Sequence, residues 1–147
     1  MATTAQGRGV PAHLWIVGII ALLWNAFGCY DYWMTVTANQ TYLAKFPADA
    51  IAYIDGLPKW LTAMWALGVW GGLLGSLLLL ARSRYAVWAF LLSAIGAIVG
   101  MGYERFMTAE PASMTSGAMA IMPWVVTVLT LVFLWYAWTM EKKGVLR

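Results

Sequence analysis

The sequence predicts an all-α integral membrane protein, a four-helix bundle threaded through lipid. Three observations predict it. The chain of 147 residues is 63% hydrophobic and only 10% charged, more apolar surface than a single small core can hide from water. Four long apolar runs, at residues 14–36, 60–81, 85–103 and 118–140, are each long enough at ~1.5 Å rise per residue to cross roughly 30 Å of hydrocarbon. None of the runs alternates polar and apolar residues as a membrane barrel strand does, so their backbone groups must be satisfied within helices.

The first run, 14–36, ends in Tyr30-Asp31-Tyr32-Trp33-Met34-Thr35 and carries Asn25 at its middle. Residues 37–59 form the longest connection. Pro47 suits a first helical turn there, Gly56 a terminator, and Leu43, Phe46, Ala50, Ile54 and Leu57 recur at helical spacing, which predicts a short interfacial helix. The second run, 60–81, is turned into the third by Arg82-Ser83-Arg84. The third, 85–103, ends in Tyr103-Glu104-Arg105-Phe106-Met107-Thr108, and the fourth, 118–140, closes on Lys142 and Lys143. With such short breaks the whole of 1–147 reads as one transmembrane domain.

Basic residues set the expected orientation, because Lys and Arg are retained on the cytoplasmic side. Arg8, Arg82, Arg84, Lys142, Lys143 and Arg147 fall on one side of four alternating helices. Lys45, Lys59 and Arg105 fall on the other, accompanied by Asp49, Asp55, Glu104 and Glu110. Both termini are therefore expected in the cytoplasm. The net charge of +3 reads as this retention signal and not as a nucleic-acid surface, since the basic residues bracket the spans without an aromatic-interleaved patch. Trp15, Trp33, Trp60, Trp88, Trp124 and Trp138 lie near run ends, where an indole buries its face and hydrogen-bonds among headgroups. Trp24, Trp65 and Trp70 lie deeper, for packing, lipid contact or stacking on a ligand.

Small residues mark helix contacts. At about 100° per residue, Gly68, Gly71, Gly72, Gly75 and Ser76 share one side of the second helix. Ala86, Ala89, Ser93, Gly96, Ala97 and Gly100 share one side of the third, with Glu104 continuing the stripe inward. Such faces let backbones approach closely, within the chain or across a homo-oligomer; a glycine-lined conduit is the other reading. Asn25 shares a face with Gly18, Ala21, Gly28 and Cys29, and a mid-membrane amide either glues helices through a hydrogen bond or contacts a substrate.

The two run-end motifs match as tyrosine, acid, variable residue, aromatic, methionine, threonine. Each is followed by a loop and then by proline beside tryptophan, Pro58-Lys59-Trp60 and Pro123-Trp124. The match points to two tandem helical hairpins in parallel orientation, related by an axis along the membrane normal. It places Asp31 and Glu104 at similar depth, either as polar stoppers, one of them bridging to Arg105, or as a site. As a site, Asn25, Tyr30, Asp31, Tyr103, Glu104 and Arg105 would take a cation, a proton or a polyol.

No reaction is expected. His13 is the only histidine and precedes the first run, there is no Ser/His/acid set and no phosphate loop, and neither a metal site nor a cofactor is anticipated. Ala26-Phe27-Gly28-Cys29 is a poor lipoprotein cleavage box, its Phe27 being bulky where a small residue belongs, and the single cysteine excludes an internal disulfide.

Trp24-Asn25, Gly28, Asp31-Tyr32, Met34-Thr35, Tyr42-Leu43, Phe46, Pro58, Trp60 and above all WALGVWGGLLGSLLLL at 65–80 carry a resemblance over about the first two thirds of the chain. There the sequence resembles a group of small, largely uncharacterised bacterial four-helix inner-membrane proteins, sometimes labelled sugar transporters. The resemblance implies a bacterial inner membrane and favours transport of a small, sugar-like solute by an oligomer. The alternative is a non-catalytic accessory or assembly subunit of a larger membrane complex. A polar cavity near Asn25, Tyr30, Asp31, Tyr103 and Glu104 would separate the two.

Overall fold

The computed structural model describes residues 9–147; Arg8, one of the basic residues used to orient the chain, lies outside them. Four long apolar helices, α1 (Ala12–Val36), α4 (Lys59–Leu80), α5 (Tyr85–Met107) and α6 (Gly117–Lys142), pack into an all-α bundle. Two short helices, α2 (Gln40–Leu43) and α3 (Ala48–Asp55), occupy the first long connection, and a 3-10 turn (Ala112–Met114) the second. The α4–α5 interface is the most extensive, followed by α1–α4 and α5–α6, each of them antiparallel. Thus α1 with α4 and α5 with α6 form two hairpins, and α1 and α5 run in the same direction.

Local chemistry sets the helix ends. Pro47 and Pro58 precede α3 and α4 in extended conformation, where a missing N–H removes nothing the helix needs. Ala38, at φ 52°, takes the left-handed conformation that closes α1, and Asn39 then caps α2, its side chain accepting from the Tyr42 N–H at 3.0 Å. The α5 helix runs past the predicted end at 103 to Met107, because Glu104 and Arg105 stay in its last turn. It stops only where Thr108 turns extended ahead of Pro111. Pro123 differs from its supposed counterpart Pro58: it lies inside α6, where its absent N–H deprives a preceding carbonyl of a partner.

The side chains are distributed as lipid demands. On α1 the buried face is Leu14, Gly18, Ala21, Asn25 and Cys29, mostly small, while Ile16, Ile19, Ile20, Leu23 and Phe27 point outward and are half or more exposed. A soluble bundle would bury the large residues. In hydrocarbon there is no hydrophobic gain in doing so, and close backbone approach wins.

That approach is measurable at the glycines. A Cβ on Gly96 would lie 2.5 Å from the Met64 carbonyl oxygen and 2.8 Å from the Gly68 nitrogen, and one on Gly71 would lie 3.2 Å from the Ser93 nitrogen. A Cβ on Gly75 would meet the Phe90 ring at 2.9 Å, and one on Gly68 would come within 3.7 Å of the Ala97 nitrogen. The Ser93 hydroxyl seals the same seam by donating to the Gly68 carbonyl at 2.5 Å. Gly100, on the same stripe, is not packed within the chain, since nothing lies within 4 Å of where its Cβ would sit. Beyond Gly96 the Trp60 and Tyr103 rings meet edge to face, centroids 5.0 Å apart.

One end of the bundle, the basic end, holds the start of α1, the α4–α5 turn and the end of α6. Leu14, Leu79, Met140 and Leu146 form its buried apolar floor. The Arg84 N–H donates to the Arg147 main-chain oxygen at 2.9 Å, and the Arg147 N–H to the Arg82 carbonyl at 2.7 Å, so the last residues clasp the turn. His13 lies within the first turn of α1 and not ahead of it; its Nδ1 meets the Tyr136 hydroxyl at 2.5 Å, which joins α1 to α6. At the opposite, loop end, the two connections touch: the Ser113 hydroxyl donates to Asp49 Oδ1 at 2.8 Å, and Tyr53 and Thr108 share a hydrogen bond of 2.6 Å.

Candidate functional site

The six candidate residues fall into three separate environments. Asn25 is in the middle of the bundle, on the α1 face turned to α4. Its Nδ2 donates to the Ala21 carbonyl at 2.8 Å and to Ser76 Oγ at 3.3 Å, and the Ser76 hydroxyl donates onward to the Gly72 carbonyl at 2.8 Å. The amide oxygen presses against the bare backbone of Gly72. A Cβ there would overlap it outright, and would stand 2.7 Å from Asn25 Cγ and 3.2 Å from Ser93 Oγ. Gly72 therefore opens the notch in which groups from α1, α4 and α5 meet. Asn25, Ser76 and Ser93 are all buried, and their donors are used within the node. Four residues along α1, the Cys29 thiol donates to the Val69 carbonyl at 3.3 Å and extends the same seam.

Asp31 is at the loop end and faces the first connection. Its Oδ1 accepts the Tyr42 hydroxyl at 2.5 Å, while Tyr30, half exposed, stands edge-on to the Tyr42 ring at 5.6 Å. Phe46 and Lys45 close around the same ring, at 5.4 Å and 5.8 Å from its centroid. Burial, then the hydrogen bond to Asp31 and the Asp31 charge, push the Tyr42 phenol far above the ordinary tyrosine range. Asp31 thus fastens α2 to the end of α1.

Glu104, Tyr103 and Arg105 belong to the third environment, where α5 ends beneath α3 and the second connection. Tyr103 is half-buried against Trp60. Arg105 pairs with Glu110, Nη1 to Oε2 at 3.5 Å, and not with Glu104 or Asp31, because the chain bends after Thr108 and returns Glu110 over the guanidinium. The guanidinium also lies 5.8 Å from the Trp124 ring centroid, and its Nε is enclosed without a hydrogen-bond partner. Glu104 is half-buried, its main-chain carbonyl accepting the Thr108 hydroxyl at 2.7 Å. The Tyr53 phenol looks onto this group. Burial pushes it up, the Thr108 hydrogen bond opposes that, and the charges of Glu104 and Glu110 add to the rise. Two carboxylates, one guanidinium, two tyrosines and two indoles thereby collect at one place.

The acidic motifs do share an end of the bundle, yet no hydrogen bond or ion pair among the described residues joins Asp31 to Glu104. The spacing within the spans gives no sign of the roles of Tyr42, Tyr53 and Glu110, all of them in the two connections between spans. An acid near a helix end with no basic residue one turn away was the available signal that a loop hydroxyl or a returning chain must supply its partner. Two open apolar grooves lie on the bundle surface, one on α6 along Trp124, Val125, Val128 and Leu129, the other between α5 and α6. Neither is lined by Asn25, Tyr30, Asp31, Tyr103, Glu104 or Arg105.

Comparison of the chain with protein-family models, with curated proteins and with solved structures found no match.

Proposed function

We propose that this multi-pass membrane protein is a non-catalytic accessory or assembly subunit of a larger membrane complex. In this reading it sits in a bacterial inner membrane with both termini in the cytoplasm, where the basic end retains its lysines and arginines. The observation that carries the proposal is the node at Gly72. The amide that a solute pathway would need at mid-membrane is spent on Ala21 and Ser76, and the polar groups between α1, α4 and α5 hold one another. Such a core favours a fixed scaffold over a passage. Its test is purification from native membranes in mild detergent after brief crosslinking, with uptake of labelled sugars measured in parallel on proteoliposomes. The proposal expects a larger membrane protein at fixed stoichiometry and uptake at the level of empty vesicles. Self-association alone together with saturable uptake would overturn it.

A second reading, transport of a small sugar-like solute by a homo-oligomer, draws on the loop-end group. Carboxylates and a tyrosine hydroxyl beside aromatic faces are the groups that hold a polyol. On that reading Glu104→Gln or Asp31→Asn abolishes uptake while leaving assembly intact.

A further inference from the structure

We infer that the groove between α5 and α6 at the basic end is a binding site for an anionic phospholipid, one acyl chain lying along the groove and the phosphate held by Arg84 and Lys142. The groove is lined by Val87 and Leu91 from α5 and by Leu131, Leu134, Trp135 and Trp138 from α6. Phe90 and Phe133, with ring centroids 6.0 Å apart, fill the inner side of the same interface, so the helices touch there and leave a channel on the outside. From Trp138 to Leu131 the channel runs about 10 Å along the helix axis, most of the roughly 15 Å that one leaflet of hydrocarbon offers.

Charge decides which lipid fills it. Arg84 lies one turn before Val87, and Lys142 one turn after Trp138, so both stand at the mouth. Each is exposed and its charged group lies over an aromatic ring beside the groove: Lys142 Nζ is 3.9 Å from the centroid of Trp138, which lines the groove, and the Arg84 guanidinium is 5.6 Å from that of Tyr85, two residues before Val87. The clasp of Arg82, Arg84 and Arg147 main chain brings the α4–α5 turn beside the end of α6, so Lys143 and Arg147 add to the same field. Glu141 is the one acidic side chain among the described residues of this end. A zwitterionic headgroup would place a choline or ammonium among these cations, whereas a phosphatidylglycerol presents only its phosphate.

The test uses the fluorescence of Trp135 and Trp138 in the full chain reconstituted with phospholipids brominated on the acyl chain. At equal mole fraction, brominated phosphatidylglycerol should quench more than brominated phosphatidylcholine. The phosphatidylglycerol-specific part should vanish in W135F/W138F, which identifies the groove as its source. Each basic residue near a membrane surface favours an anionic lipid by roughly five-fold, so R84Q/K142Q should lower the apparent affinity for phosphatidylglycerol by more than ten-fold, towards that for phosphatidylcholine. R84K/K142R should keep the preference. Equal quenching by the two lipids in the unaltered chain overturns the inference, and so does a preference that survives R84Q/K142Q or persists in W135F/W138F. Should R84Q/K142Q fail to fold, the comparison of lipids on the unaltered chain and on R84K/K142R still decides.

Discussion

Replacing Gly72 by alanine tests whether the mid-membrane node holds the bundle together. The new methyl would overlap the Asn25 amide oxygen and lie 2.7 Å from its Cγ, with Ser93 Oγ at 3.2 Å barring retreat towards α5. Either the amide swings away, giving up its hydrogen bonds to Ala21 and Ser76, or α1 separates from α4 along the contact that runs from Gly18 against Leu80 to Tyr32 against Trp65. Overpacking costs about 1–3 kcal/mol, and an interhelical hydrogen bond in a membrane averages ~0.6 kcal/mol, which together give a loss of about 2–4 kcal/mol.

Gly100→Ala is the matched control. It has the same chemistry in a helix of the same bundle, but open space around the Cβ, so relief of glycine's backbone entropy should make it neutral or stabilising by up to about 1 kcal/mol. Unfolding titrations in mixed micelles followed by far-UV circular dichroism would rank the two. In a double-mutant cycle, Asn25→Ala should restore part of what Gly72→Ala loses, because it vacates the volume the methyl needs, with a coupling of about 1–2 kcal/mol. Equal stability of Gly72→Ala and Gly100→Ala, or strict additivity with Asn25→Ala, would refute the proposed role of Gly72.

Three further outcomes are expected. The hydrogen bond from Ser113, helped by the Ala50 N–H, holds the Asp49 carboxyl below the ordinary aspartate range. A depressed folded-state value means that the Asp49 contribution is present above the unfolded pKa and is lost as pH falls through the folded one. The protection factors of amides across 48–55, measured against the intrinsic exchange rate at each pH, should accordingly fall on acidification, and Asp49→Ala should show the lower protection already at neutral pH. Tyr42 should be missing from the phenolate absorbance that grows through the normal tyrosine range; Tyr42→Phe should leave the amplitude in that range unchanged, and a drop would contradict the Asp31 bond. A reporter active only outside the cytoplasm, fused after Arg147, should stay silent, and a strong signal would reverse the proposed orientation.

The four spans were legible because their cause is cumulative: each needs only a long run of mostly apolar residues with its charges at or near the ends. The short helix of the first connection was legible as well, from Pro47 and Gly56 at its ends. Contacts within the bundle were legible where spacing alone settles them, as at Gly68, Gly71, Gly75, Ser93 and Gly96. At Gly100 the same spacing meets no neighbour within the chain. Periodicity states which residues share a face but not how far away the opposing helix lies.

The acids show the same limit more sharply. Asp31 and Glu104 occupy equivalent places in motifs that share a tyrosine, an acid, an aromatic, a methionine and a threonine, yet Asp31 binds Tyr42 from the connection that follows it, whereas Glu104 lies beside Tyr53 and Glu110 from two connections. A helix end leaves a side chain free to turn towards whatever loop arrives, and the two loops differ in length and content. Equivalent positions on α1 and α5 therefore fix the depth of an acid without fixing its partner. The partners of these acids come from the connections, so exchange of 37–58 for an unrelated linker should remove Tyr42 from Asp31 and Tyr53 from Glu104 while leaving the α1–α4 seam, built on Gly72 and Asn25, in place.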